Sequence, residues 1–370
     1  MLRGFIWGAV VALVALPAFS LQGQAAEFFK GKTVTVITST GAGGSYDTVA
    51  RAVSRHMPRH LPGKPTMIVQ NMPGGGHMRA TNYMYNVAPK DGTRLATIHN
   101  AVPLHQVIDG SGVRFDVTKF NWLGSTGAEN SGIIVWHTAK VKTYEDLLKK
   151  EAILGGTGPG SGIVLFPTVM NSVLGTKFKI VLGYKSSEEI NVAMERGEVE
   201  ARAFGLVSIF ATRMRWITGK KVRFLAQVGA KRDSRLPNVP LLTDLAKNEE
   251  QRQILKLVSS PTALGKPYIA PPGLPAARVA LLRKAFDATF ASKGFLGEMN
   301  KLRIPINYTN GTELAGGLAA STYFGGFGPR GVMPEGRGVT NSKLRGPKGR
   351  FGSFASSGPK PCPGRPFELT

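Results

Sequence analysis

The 370-residue chain has a single cysteine, Cys362. One cysteine excludes an intramolecular disulfide and any multi-cysteine zinc site. Acidic residues are scarce too, 23 against 47 lysines and arginines, and the formal net charge is +24. A balance this basic raises nucleic acid, an anionic membrane or an acidic ligand as partners. Long apolar runs are missing after the first 26 residues, so no later segment reads as membrane-spanning. Glycine and proline are plentiful, 46 and 24, but keep no G-X-Y period, which excludes a collagen-like chain. The 42% hydrophobic content suffices for cores, and the length points to two domains rather than one.

The motifs of catalysis are mostly missing as well. Gly31-Lys32-Thr33 ends like a phosphate-binding loop, but Ala26 stands at the leading glycine position and the motif precedes a strand. Gly41-Ala42-Gly43-Gly44-Ser45-Tyr46 opens like a dinucleotide fingerprint, yet Tyr46 replaces its last glycine and no acid follows at the required distance. His56 and His60 have zincin spacing without the glutamate, and Pro58 lies between them. The other histidines, His77, His99, His105 and His137, show no ligand spacing. No nucleophile elbow occurs, since Asp47 ends the Gly43–Asp47 stretch. Basic residues are scattered and not interleaved with aromatics, so nucleic acid is not expected as a partner. Neither a cofactor nor a metal is called for.

What is present is an alternation of strands and helices. Thr33–Ile37 is a β-branched strand, followed by the turn Thr40–Ser45 and a helix from Tyr46 to His60. Met67–Val69 is a second strand, followed by Pro73–Gly76 and a helix to Val87; Arg94–Ile98 is a third. The pattern restarts with a strand at Gly132–His137 and a helix Tyr144–Lys150 capped by Thr143. Gly155–Gly162 is a second glycine turn, and Val164–Leu174 an apolar helix. Ile180–Leu182, Val199–Phe204 and Val222–Val228 supply strands, and Arg278–Leu296 reads as one long amphipathic helix. The architecture predicted is α/β with mostly parallel sheets. A glycine turn that opens a helix offers unpaired N–H groups to an anion.

Both ends stand apart. Arg3, the uncharged stretch from Phe5 to Leu21 and the small residues before Glu27 form a secretory signal peptide over 1–26, so export is expected. From Ala315 to Thr370 there are 13 glycines and 7 prolines in 56 positions, with neither helical nor strand period. That region is expected to be disordered, and a frameshifted gene end would produce such an ending.

Several segments, in order, resemble the Bug family of periplasmic receptors of tripartite tricarboxylate transporters. They are Lys32–Ile37 with Gly43–Arg51, Val69–Gly76, Ala88–Leu95, Gly156–Gly162, Gly183–Lys185, Met194–Val199, Arg232–Pro240 and Ile269–Pro275. The likeness spans Glu27 to Leu314. It departs in the first loop, where Ser39–Ala42 lacks proline, and at Glu198–Arg202. It implies a two-domain Venus flytrap fold, with domain 1 over 27–128 plus 262–314 and domain 2 over 129–261. It also implies a receptor, not an enzyme, with a small carboxylate held in the cleft. Carried over by position, the ligand would meet Gly41, Ala42, Gly43, Gly44, Ser45, Asp47 and Asn100 from one side. Thr157, Gly158, Ser161 and Tyr184 would meet it from the other. Asp47 is expected to brace its loop by accepting backbone N–H groups. The closed monomer would then dock on membrane subunits of the transporter. The alternative is an exported α/β enzyme using the same loops for a small anionic or phosphorylated substrate.

Overall fold

A computed structural model describes residues 28–319. The expected signal peptide and the sequence from 320 onward lie outside the described residues.

The β-branched run forms β1 (Thr33–Thr38), which leads through the glycine turn into α1 (Ser45–His56). Val49, Ala52 and Val53 form the buried side of α1, and Asp47 sits in its first turn, where the helix dipole favours an acid. The α-helix stops at His56, short of the expected His60, because Pro58 converts the last turn to a 3-10 turn. β2 (Thr66–Asn71), α2 (Met78–Asn86), β3 (Arg94–Thr97), α3 (Val102–Ile108) and β4 (Asn121–Ser125) follow.

The second run comprises β5 (Ser131–Trp136), α4 (Tyr144–Lys149), β6 (Ala152–Gly156), α5 (Gly162–Val169) and β7 (Phe178–Leu182). It continues with α6 (Ser187–Glu195), β8 (Ala201–Gly205), α7 (Leu206–Thr212), α8 (Met214–Thr218) and β9 (Val222–Val228). The chain closes with α9 (Glu249–Ser259), β10 (Pro267–Ala270), α10 (Ala276–Ala291), α11 (Lys293–Lys301), β11 (Thr309–Asn310) and α12 (Gly311–Ala319). Thr143 caps α4, its hydroxyl accepting the Asp146 N–H at 3.2 Å.

Two differences from the sequence reading have local causes. The single long helix is two, because Ser292 turns extended and its hydroxyl accepts the Phe295 N–H at 3.3 Å, starting α11. Helical structure also runs past 314, into the stretch read as disordered. Leu314 and Leu318, four residues apart, are buried, and the Asn310 side chain accepts the Thr312 and Glu313 N–H groups.

The strands form two sheets, ordered β11-β4-β10-β3-β1-β2 and β7-β6-β8-β5-β9. Both are mixed. β10 and β11 oppose the other strands of the first sheet, and β5 alone is reversed in the second. The remaining strands run parallel, as the alternation requires. Helices cover both faces of the first sheet. Val34 and Val36 face a core shared with α1 and α10, while Ile37 joins the core that holds Met78, Met84 and Leu104. The segments joining the sheets lie side by side: Glu129 N–H donates to Thr262 O at 2.9 Å, and Lys266 N–H to Thr126 Oγ1 at 3.0 Å.

Candidate ligand cleft

The turns following β1, β2 and β3 meet those following β6, β7 and β8 at a cavity of about 90 Å³. That is room for several waters or a small organic acid, since one water needs roughly 10–15 Å³ on this measure. Of the residues expected there, Gly41, Ala42, Gly44, Ser45, Asn100, Thr157 and Tyr184 line the cavity. Gly43, Asp47, Gly158 and Ser161 stand behind its walls.

Those four hold the walls in place. Asp47 Oδ2 accepts from the Gly43 N–H at 3.1 Å and Arg51 Nε at 3.0 Å, and Oδ1 accepts from Asn71 Nδ2 at 2.9 Å. Burial alone would raise the Asp47 carboxyl, but the hydrogen bonds from Arg51, Gly43 and Asn71 outweigh it and hold the group below the usual range. The Ser161 hydroxyl is turned away from its own helix, donating to Gly158 O at 2.8 Å and accepting from Thr157 Oγ1 at 3.0 Å. It precedes α5 without capping it. Gly44 precedes α1 and has no side chain to offer. Two helix starts with no side-chain cap therefore open on one cavity, and the first-turn N–H groups are the donors such a start leaves over. The Asn100 amide also lines the cavity and makes no side-chain hydrogen bond among the described residues.

The two halves touch through backbone. A β-carbon on Gly76 would lie 2.6 Å from Gly160 N, and one on Gly158 would lie 2.6 Å from Gly76 N. One on Gly41 would lie 2.5 Å from Ser186 Cβ. Ser208 Oγ of α7 donates to Ser45 Oγ of α1 at 2.5 Å. This is a closed arrangement in which only glycine lets the loops meet.

The sequence reading passed over part of the wall. Tyr46 stacks on His99 with ring centroids 5.4 Å apart, and His99 on His77 at 4.5 Å. The Tyr46 hydroxyl donates to Gly265 O and accepts the Asn100 N–H, both at 3.2 Å. His99 Nδ1 accepts the Ala101 N–H at 3.2 Å, so its Nε2 carries the proton. His77 Nδ1 donates to Ser39 O at 2.9 Å, leaving Nε2 buried without a partner. Burial pushes His77 down to about 4 and His99 well below its ordinary value, so the stack is neutral. Metal spacing was the wrong signal for these residues. Their places just beyond β2 and β3, where open α/β sheets collect ligands, were the useful one. Arg202, Glu129 and Ser208 line the cavity too and were not expected.

The histidines set an acid sensitivity. Below the ordinary value of 6.5 the unfolded chain takes up protons that folded His77 refuses until about 4. Stability should therefore fall as pH drops through that window, by at most about 1.4 kcal/mol per pH unit for each such histidine. Urea denaturation at pH 7 and pH 5 measures this. His77→Asn, which keeps a donor for Ser39 O, should flatten the decline, and an unchanged decline would exclude His77 as its source.

A model of the tripartite tricarboxylate transporter family receptor matches residues 49–314. The chain belongs to this family. It is 26% identical over 314 residues to the UPF0065 protein in the gbd 5' region of Cupriavidus necator, covering 83% of this chain and 89% of that one. Its fold is similar to that of the periplasmic binding protein BugD, with a TM-score of 0.64 at 20% identity, over 80% of this chain and 94% of that one. It is likewise similar to MatC from Rhodopseudomonas palustris with bound malate, with a TM-score of 0.63 at 18% identity, over 80% and 97%. The protein is a solute receptor with a two-domain periplasmic-binding-protein fold, and the enzyme alternative is not favoured.

Proposed function

We propose that this receptor works in the periplasm, exported by its amino-terminal segment, and binds a small carboxylate between lobes 27–128 plus 262–314 and 129–261. The observation that carries this is the pair of uncapped helix starts at one cavity, Gly44–Ser45 of α1 and Ser161–Gly162 of α5. A carboxylate between them takes N–H donors from both lobes and stabilises the closed form by its differential affinity for it. Ser45, Asn100, Thr157 and Tyr184 surround the ligand, while Asp47 and Ser161 hold the loops. The loaded monomer then docks on the membrane subunits of a tripartite tricarboxylate transporter. The binding of malate by a protein of similar fold supports this ligand class.

Thermal denaturation with a panel of carboxylates, amino acids and sugars tests the reading. One carboxylate should stabilise saturably, by about 2.7 kcal/mol at 100 times its Kd, and be recovered unchanged by mass spectrometry. Stabilisation by amino acids or sugars alone, or consumption of the ligand, would overturn it. Ser45→Ala removes a wall hydroxyl and the Ser208 contact, and should weaken binding by about 0.5–1.5 kcal/mol in calorimetry.

A further inference from the structure

Arg202 stands in β8 and is 1% exposed, yet it lines the cavity beside Ala203 and Phe204. Its guanidinium lies 4.0 Å from the centroid of the Phe204 ring. It donates to Ala203 O at 3.2 Å, to Ser187 O at 2.8 Å, to Ser187 Oγ at 3.1 Å and to Asn191 Oδ1. All four acceptors are neutral. A guanidinium has five N–H groups, so one, on Nη2, is left over.

No carboxylate lies within ion-pair distance of Arg202 among the described residues. Glu188, the acid that attracts it from further away, is paired with Arg213. Burial lowers the guanidinium to about 9, which still leaves it charged at neutral pH. The buried Lys266, by contrast, is matched by Glu129, which lines the cavity. A buried cation held only by neutral acceptors is costly, and an apolar side chain would fill this place in the strand without that cost. A negative charge entering the cavity supplies what is missing, and in a low-dielectric site the attraction is strong.

We infer that Arg202 is the counter-charge for a second anionic group of the ligand, held beside the first turn of α6, and so makes a dicarboxylate a better ligand than a monocarboxylate of equal length. The inference rests on the carboxylate-receptor reading, because the first carboxylate is the one held at the helix starts. Arg202 thus sets specificity by charge, where the backbone donors set it by shape.

Calorimetry with C4 to C6 dicarboxylates, malate among them, each beside its own monoamide, tests this. The wild-type protein should prefer the diacid by about 10- to 100-fold, the range of one charge-assisted hydrogen bond. In Arg202→Met that preference should vanish through loss of diacid affinity, with the monoamide bound as before. The unliganded variant should melt at or above the wild-type temperature, since the uncompensated charge is gone. Arg202→Lys keeps the charge and should keep part of the preference. A wild-type protein that does not distinguish the pair overturns the inference while leaving the carboxylate reading intact. So does Arg202→Met weakening both ligands equally, or Arg202→Lys binding the two alike should the methionine variant not fold. Failure of every diacid and every monoamide to bind would overturn the carboxylate reading itself, and this inference with it.

Discussion

Gly158→Ala should abolish tight ligand binding while leaving the unliganded protein about as stable as wild type. The new β-carbon would lie 2.6 Å from Gly76 N, 2.9 Å from Gly76 Cα and 3.4 Å from Gly75 C. All three are backbone atoms of the opposite lobe, and none can rotate aside. With the lobes apart the same β-carbon meets solvent, so the penalty falls on the closed state alone. An overpacking cost of about 3 kcal/mol corresponds to roughly a hundredfold loss of affinity. Calorimetry measures the loss. Small-angle scattering should show that saturating ligand no longer compacts the variant. Affinity within a factor of about two of wild type would mean that the two loops need not meet for binding.

The same glycines show what the sequence could and could not disclose. The turns at 41–44 and 155–162 were legible because a glycine cluster ahead of a helical pattern has a local meaning: the chain turns and a helix begins. That Gly76 and Gly158 lie against each other was not legible, since nothing local ties two turns so far apart in the chain. Strand order follows the same rule. Thr33–Thr38 and Val222–Val228 announce themselves by β-branched residues. Asn121–Ser125 and Ala152–Gly156 do not: each carries glycine, and burial in the middle of the fold overrides propensity. Ser161 shows a finer limit. A serine before a helix reads as a cap or a ligand contact, and only the fold shows its hydroxyl turned to Gly158 O. Arg202 left a usable trace, a lone charge between Ala201, Ala203 and Phe204, because strands buried on both faces rarely carry one without a partner.

Asp47→Ala should lower stability by about 2–3 kcal/mol at neutral pH and weaken ligand binding as well. Asp47 is 4% exposed, and its carboxylate joins three elements: the loop through Gly43 N–H, α1 through Arg51, and β2 through Asn71. Truncation leaves the Gly43 N–H and the Asn71 amide without this acceptor. The Arg51 charge, half exposed, can return to water, so it adds little to the loss. Asp47→Asn should fall between the two. Its carbonyl can still serve Gly43 and Arg51, but its NH2 would then face the donor of Asn71. The pH dependence separates this from any generic loss of packing. The folded carboxyl lies below its ordinary value of 3.8. Its contribution is therefore present at every pH above that value and is lost as pH falls through the folded pKa. The gap between wild type and Asp47→Ala should stay constant from pH 7 to pH 5 and narrow below 3.8. Urea midpoints across that range measure the gap. If it closes already between pH 7 and pH 5, the carboxylate of Asp47 is not what holds the loop.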